Sequence, residues 1–340
     1  MLALATAGCT GPLRAASNPP AATVPVQDVP TVPEWWQQAG DPVLAALVKQ
    51  GLDSSQEIAC RVSGLRQYDF QVAQETKRIG ARLGRLLGTD QKTAADARAH
   101  AHEERVQRIV ARRVGVARQI AHAYVEVRRL QEEIALRSGL RDQYKDNAEV
   151  AQFRRQAGLV SAIDGALARS QEQAAQGELS FAQSRLNDAM SELARLTGNT
   201  PEALTGKLGT PGAIPSLPVD PPTTAPPDDA RHVALAEDVL RETHLAQALE
   251  QALEQARRTV RDARGAYRQG AGEFATLYVA EVAVTAMNLA LVNARASRVM
   301  ATLDLWSEKD TTWAHQGLDT IAAADSPARD ETITVTADCE

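Results

Sequence analysis

The sequence is short of aromatics, cysteines and uninterrupted apolar runs, and each shortage narrows the field. Phe, Trp and Tyr make up only 4% of the 340 residues, although apolar residues reach 44%. Alanine fills the gap with about 60 residues, and it is the strongest helix former. Sandwiches and barrels draw on Val, Ile, Thr and aromatics, so the composition excludes an all-β fold of that kind. The three cysteines, Cys9, Cys60 and Cys339, are too few and too far apart for a disulfide framework or a zinc site. No run of 18 apolar residues is present, which predicts no membrane-spanning helix. A net charge of -6 argues against a general nucleic-acid binder. Ser-His-Asp order, a Gly-rich phosphate loop and an HExxH pair are all missing, so the expectation is a protein that is not an enzyme and carries no cofactor.

What remains is a nearly all-helical chain with clear punctuation. Met1 to Gly8 (MLALATAG) are small and apolar and lead directly into Cys9. Residues 1–9 look like the remnant of a bacterial lipoprotein signal, whose cysteine becomes lipidated. The alternative is an ordinary cysteine. Residues 10–33 are rich in Pro, Ala and Thr and read as an extended tether. Trp35-Trp36 and Gly40-Asp41-Pro42 follow, with Asp41 placed to cap a helix and Pro42 at its first turn. That helix is predicted over about 42–80, with a break near Gly51-Leu52-Asp53.

Residues 92–155 hold no proline, and Val116, Ile120, Ala123, Val127, Leu130 and Ile134 alternate four and three apart, a heptad seam. A helix of that length spans roughly 90 Å and needs long partners. One partner is 161–197, stopped by Gly198-Asn199. Half of the sixteen prolines then crowd between Pro201 and Pro227. The expected organisation is a first helical repeat over 34–200, a Pro-rich linker over 201–229, a second repeat over 230–308 and a flexible tail over 309–340.

A repeat carries the most information. Phe153-Arg154-Arg155-Gln156-Ala157-Gly158-Leu159-Val160-Ser161 ends one long helix and opens another. Tyr267-Arg268-Gln269-Gly270-Ala271-Gly272-Glu273-Phe274-Ala275 does the same 114 residues later. Each reads as the tight turn of a helical hairpin in which glycine takes a positive φ. The predicted fold is all-α: two long helical hairpins in tandem.

With the Cys9 tether, Trp35-Trp36, Gly40-Asp41-Pro42 and Arg231-His232-Val233 before Ala236-Glu237, these turns resemble the TolC-like outer-membrane efflux family, in its lipid-anchored branch. The resemblance implies a homotrimer whose helices form a periplasmic tunnel. It also implies partners: a periplasmic adaptor at the hairpin tips, an inner-membrane efflux pump and outer-membrane lipid through Cys9. By position, Gly158, Leu159, Ser161 and Asp164 match one docking tip, and Gly272, Phe274 and Thr276 the other. Glu281 matches an acidic residue near the tunnel constriction, where three carboxylates would favour cations. An ordinary solvated helix charge is the other reading of Glu281.

Family members also insert two barrel strands into each repeat, as segments of about ten alternating residues. None is legible here. Residues 70–105 read as charged helix around Gly80, Gly84 and Gly88, with a helix end or turn expected near Gly88-Thr89-Asp90. Two functions follow: an efflux conduit, or a barrel-less periplasmic coiled-coil scaffold that does not conduct. His100 and Glu104 share a helix face, but two ligands are too few for a structural metal. The basic stretch over 60–130 is dispersed without aromatics and reads as a solvated or tunnel-lining face.

Overall fold

The computed structural model describes residues 34–83, 90–158, 161–208, 212–217, 230–309 and 311–318, and every regular element among them is helical. Cys9, the 10–33 tether, Leu159, the Gly84 to Gly88 stretch and the tail beyond Leu318 lie outside the described residues.

The chain enters through a 3-10 turn, Trp35–Ala39, that stops at Gly40 with φ 64°. Asp41 then caps α1 (Pro42–Ser54): its carboxylate accepts from the amides of Val43 at 2.9 Å and Leu44 at 3.1 Å. Its other oxygen accepts from the Tyr124 hydroxyl at 2.5 Å, tying the cap to a neighbouring helix. Burial, with that hydrogen bond, pushes the Tyr124 hydroxyl up to about 12. The expected break comes at Ser55, in extended conformation, and α2 (Gln56–Leu83) begins beyond it. Gly51 has a different use. A Cβ there would lie 2.3 Å from Ile120 and 2.9 Å from the Leu196 carbonyl, so it is the point where three helices meet.

Helix α3 (Asp90–Gln156) is 67 residues long, about 100 Å. It packs on α4 (Ala162–Thr197) and on α7 (Phe274–Lys309), while α6 (Ala230–Arg268) packs on α7, giving the lateral order α4–α3–α7–α6. The seam residues Val116, Ile120, Val127 and Leu130 are buried, and so are Ala117, Ala121, Tyr124 and Val125. The middle of α3 is thus covered on more than one face, which a single heptad stripe does not foretell. The first part of α3 pairs with α2, antiparallel. Glu57 meets Arg112 at 2.6 Å, Asp69 meets His102 at 2.8 Å, and Tyr68 donates to the Arg98 carbonyl at 3.1 Å.

Two expectations are corrected here. The linker opens with a helix, α5 (Pro201–Leu208). Arg128, 7% exposed, fixes it by donating to the Leu208 carbonyl at 3.3 Å, and Gln131 accepts from the Gly212 amide at 3.2 Å. The tail is packed as far as Leu318. Arg113 donates to the Ala314 and Gln316 carbonyls, and Trp313 stands edge-on to Trp36 with ring centres 4.6 Å apart. The prolines and polar residues that suggested looseness are outweighed by one buried guanidinium and one indole.

Helix α7 departs from the expectation about apolar runs. Its polar residues are so spread that a window of it has a mean hydropathy of 1.6, long and apolar enough to cross a membrane. In the fold it lies between α3 and α6, with the charged Glu281 buried on it.

Candidate functional site

The two hairpin tips form from their glycines outward. At the first, the last turn of α3 closes with Ala157 donating to the Phe153 carbonyl at 3.1 Å and Gly158 to Arg155 at 3.0 Å, and Gly158 has φ 72°. Ser161 then caps α4 by accepting from the Asp164 amide at 3.2 Å. At the second, Gly270 takes φ 76°, and the amides of Ala271 and Gly272 both reach the Ala266 carbonyl, at 2.9 and 3.1 Å. Two glycines do two jobs there. Gly270, not Gly272, supplies the positive φ. Gly272 is needed for closeness: a Cβ on it would lie 3.0 Å from the Ala266 Cβ and 3.1 Å from backbone atoms.

Gly272→Ala should therefore destabilise the second tip through a clash. Gly158→Ala, with nothing within 4 Å, should cost only the left-handed conformation, about 1–2 kcal/mol. Thermal unfolding of the two variants checks this, and a harmless Gly272→Ala would contradict the close approach.

The tips are joined to each other. Arg154 donates to the Tyr267 carbonyl at 3.4 Å and lies over the Tyr267 ring at 4.6 Å. The Tyr267 and Phe274 rings stand 5.6 Å apart. With Ala148, Ala151, Ala168 and Leu277 they form one apolar cluster. Phe274, expected at a docking tip, is buried within this cluster. Gly158, Ser161 and Thr276 are exposed, and Asp164 and Gly272 are half-buried. The tip surface that sequence spacing overlooked is Phe153, 72% exposed, with Ile163, 78% exposed.

Glu281 is neither a solvated helix charge nor a free carboxylate. It is 2% exposed, and its oxygens accept from Arg264 at 2.9 Å and Asn147 at 3.0 Å, so it joins α3, α6 and α7 two turns above the second tip. The carboxylate borders a 150 Å³ cavity with Arg264, Thr285 and Asn288. The Glu281 carboxylate is therefore paired with Arg264 of the same chain and is not open to solvent.

A second buried acid went unread in the sequence. Glu133, its side chain 5% exposed, accepts from Arg129 at 2.9 Å, Arg137 at 2.8 Å and Arg185 at 2.5 Å. Arg137 also meets Glu178, and Arg129 meets Glu126 and Asn293, so α3, α4 and α7 share one network. Burial pushes the Glu133 carboxyl up, but hydrogen bonds from Arg137 and Arg129 and the charge of Arg185 prevail and hold it below its ordinary value. The only hint in the sequence was the spacing of Arg129, Glu133 and Arg137, four apart. As for metal, His102 is engaged with Asp69, and no group of three possible ligands occurs among the described residues.

The two glycine turns close a layer of long antiparallel helices. Several solved structures similar to this chain are described as channels. The outer-membrane channel OprN superposes with a TM-score of 0.72 at 14% identity, over 82% of this chain and 92% of that one. The outer membrane protein VceC of Vibrio cholerae gives 0.65 at 16%, over 81% and 97%. The Campylobacter jejuni CmeC outer membrane channel gives 0.61 at 11%, over 85% and 91%. No protein-family model matches the chain, and no curated protein matches its sequence. The chain has the fold of the helical tunnel domain of TolC-like outer-membrane channels.

Proposed function

We propose that the chain is a passive conduit component of an outer-membrane export system, closing into a homotrimeric tunnel. The observation that carries this reading is the open layer α4–α3–α7–α6 with two unlike edges. Among the described residues α4 and α6 share no packed seam, so each edge is available to a neighbour. Both carry exposed apolar side chains: Ile163 and Phe181 on α4, and Val233, Leu240 and Leu245 on α6. Near the tips α4 offers Asp164 and Glu172 against Arg169, its Glu178 being paired with Arg137, while α6 offers Arg257, Arg258, Arg261 and Arg268 against Asp262 and Glu254, the latter paired with Arg258 and Arg261. An edge of one sign beside an edge of the other makes a head-to-tail contact that closes into a ring. Three is the number the family resemblance supplies.

The tips are the adaptor surface in this reading, centred on Phe153 and Ile163, and the adaptor links the tunnel to an inner-membrane pump that chooses the exported drug or metabolite. Cys9 holds the protein to outer-membrane lipid. Phe153→Ser with Ile163→Ser should leave the melting temperature nearly unchanged, since both side chains are exposed. It should abolish crosslinking to the adaptor; undiminished crosslinking would remove the tips from the contact. For the ring itself, light scattering should give about three times the 36.5 kDa of one chain. A monomer at all concentrations would contradict it.

One observation favours the second reading, a scaffold that does not conduct. Only residues 84–89 separate α2 from α3, and α6 runs unbroken over 39 residues. Neither place holds two ten-residue strands.

A further inference from the structure

Beside the Glu133 network lies a cavity of about 430 Å³ walled by α3, α4 and α7, within the size range of small-molecule sites. Its polar wall is mostly cationic: Arg129, Arg137 and Arg185 border it with a single carboxylate, Glu133. The network holds two further acids, Glu126 on Arg129 and Glu178 on Arg137. Neither borders the cavity, and their side chains are 38% and 60% exposed. Exposed acids of that kind hold their partners weakly.

Arg185 is the arginine those outer acids do not reach. One of its terminal nitrogens donates to Glu133 at 2.5 Å, its guanidinium lies 5.5 Å from the centre of the Phe181 ring, and its Nε is buried without a hydrogen-bond partner. A buried donor left without an acceptor is costly, and an acceptor brought to it recovers that cost. Across the cavity, the Asn293 oxygen accepts from Arg129 at 2.9 Å, which leaves its amide nitrogen to donate. The apolar wall is Phe181, 65% exposed, with Leu289 and the buried Val292. A ring left in water beside a guanidinium suits a flat apolar body that carries a negative group.

We propose that this cavity binds a small aromatic anion, its ring against Phe181, Leu289 and Val292 and its carboxylate or sulfonate on Arg185 and Asn293. Glu133 does not repel it, because three guanidiniums already surround that carboxylate. The lining comes from one chain, so the site does not depend on the conduit reading. In the ring proposed above, the Phe181 edge faces a neighbour and the cavity opens beside that seam.

The probe is β-naphthalenesulfonate, titrated calorimetrically into the full-length protein in low salt and a non-ionic detergent. The expected result is saturable binding of one molecule per chain. The neutral β-naphthalenesulfonamide lacks the charge and inorganic sulfate lacks the ring, so each should bind about tenfold more weakly or worse. Arg185→Gln should lose about tenfold in affinity, and so should Asn293→Asp, which sets a carboxylate against the ligand. Circular dichroism checks that the variants fold. Asn293 is exposed, so its variant carries the test even where Arg185→Gln disturbs the network. Absence of saturable binding, equal affinity for the sulfonamide, or unchanged affinity in either folded variant would overturn the site. Equal affinity for sulfate would overturn the aromatic part of the ligand. A monomer that binds the probe upholds the site and counts only against the ring.

Discussion

Glu133→Ala is expected to cost about 3–5 kcal/mol of folding stability, the range for removing one partner from a buried ion pair. The loss falls on Arg185 and on the seam between α3 and α4. Arg129 keeps Glu126 and Arg137 keeps Glu178, whereas Arg185 keeps no acid that it meets in this network. Arg185 is 37% exposed on its side chain, so solvent covers part of the deficit and places the value toward the low end. Glu133→Gln should lose less, because the amide oxygen still accepts one guanidinium. Urea unfolding at neutral pH measures both. The pH dependence has a definite sign. The folded carboxyl lies below its ordinary value of 4.5, so its contribution is complete above that value and is lost as pH falls through the folded one. Wild type should therefore lose stability more steeply than Glu133→Gln below pH 4.5; parallel curves would mean the network contributes nothing.

Glu281→Ala comes second, at about 3 kcal/mol, and its consequence is local to the tips. The substitution leaves Arg264 facing a buried gap and strips the Asn147 amide of its acceptor, and a buried donor without a partner costs about 1–3 kcal/mol. The side chain of Arg264 is 34% exposed and is partly rehydrated, which keeps the total below that of a fully buried pair. Replacing both charges at once, Glu281→Leu with Arg264→Met, should recover most of the loss, because a well-packed apolar pair often equals a buried ion pair. A double-mutant cycle with hydrogen exchange at 262–285 checks this. Loosening confined to the tip hairpin is the expected pattern, and uniform loosening over α3 would place the effect elsewhere.

How much of this was legible beforehand depends on whether the signal was local. Helix ends were, because a glycine with positive φ or a capping Asp or Ser acts within one turn: Asp41 and Ser161 start their helices and Gly198 stops one where the sequence placed them. The tandem hairpins were legible for the same reason, as Gly158 and Gly270 recur in matching surroundings. What composition could not reveal was packing between distant segments. Gly51 read as a helix break because nothing nearby in sequence announces Ile120 and Leu196. Phe274 read as a contact residue because its partner, Tyr267, lies across the turn. Glu281 read as a constriction carboxylate or a solvated charge and Glu133 was not read at all, since Arg264 comes from α6 and Arg185 from α4. The linker and tail misread differently, for their order comes from Arg128 and Arg113 on α3.

The most direct test of the conduit is planar-bilayer conductance of the detergent-purified protein, with its mass fixed by light scattering on the same sample. The account predicts a trimer that opens steady, ion-conducting steps. A folded, helical trimer that never conducts would contradict the conduit and leave the scaffold, a tunnel wall with docking tips and no passage through the membrane.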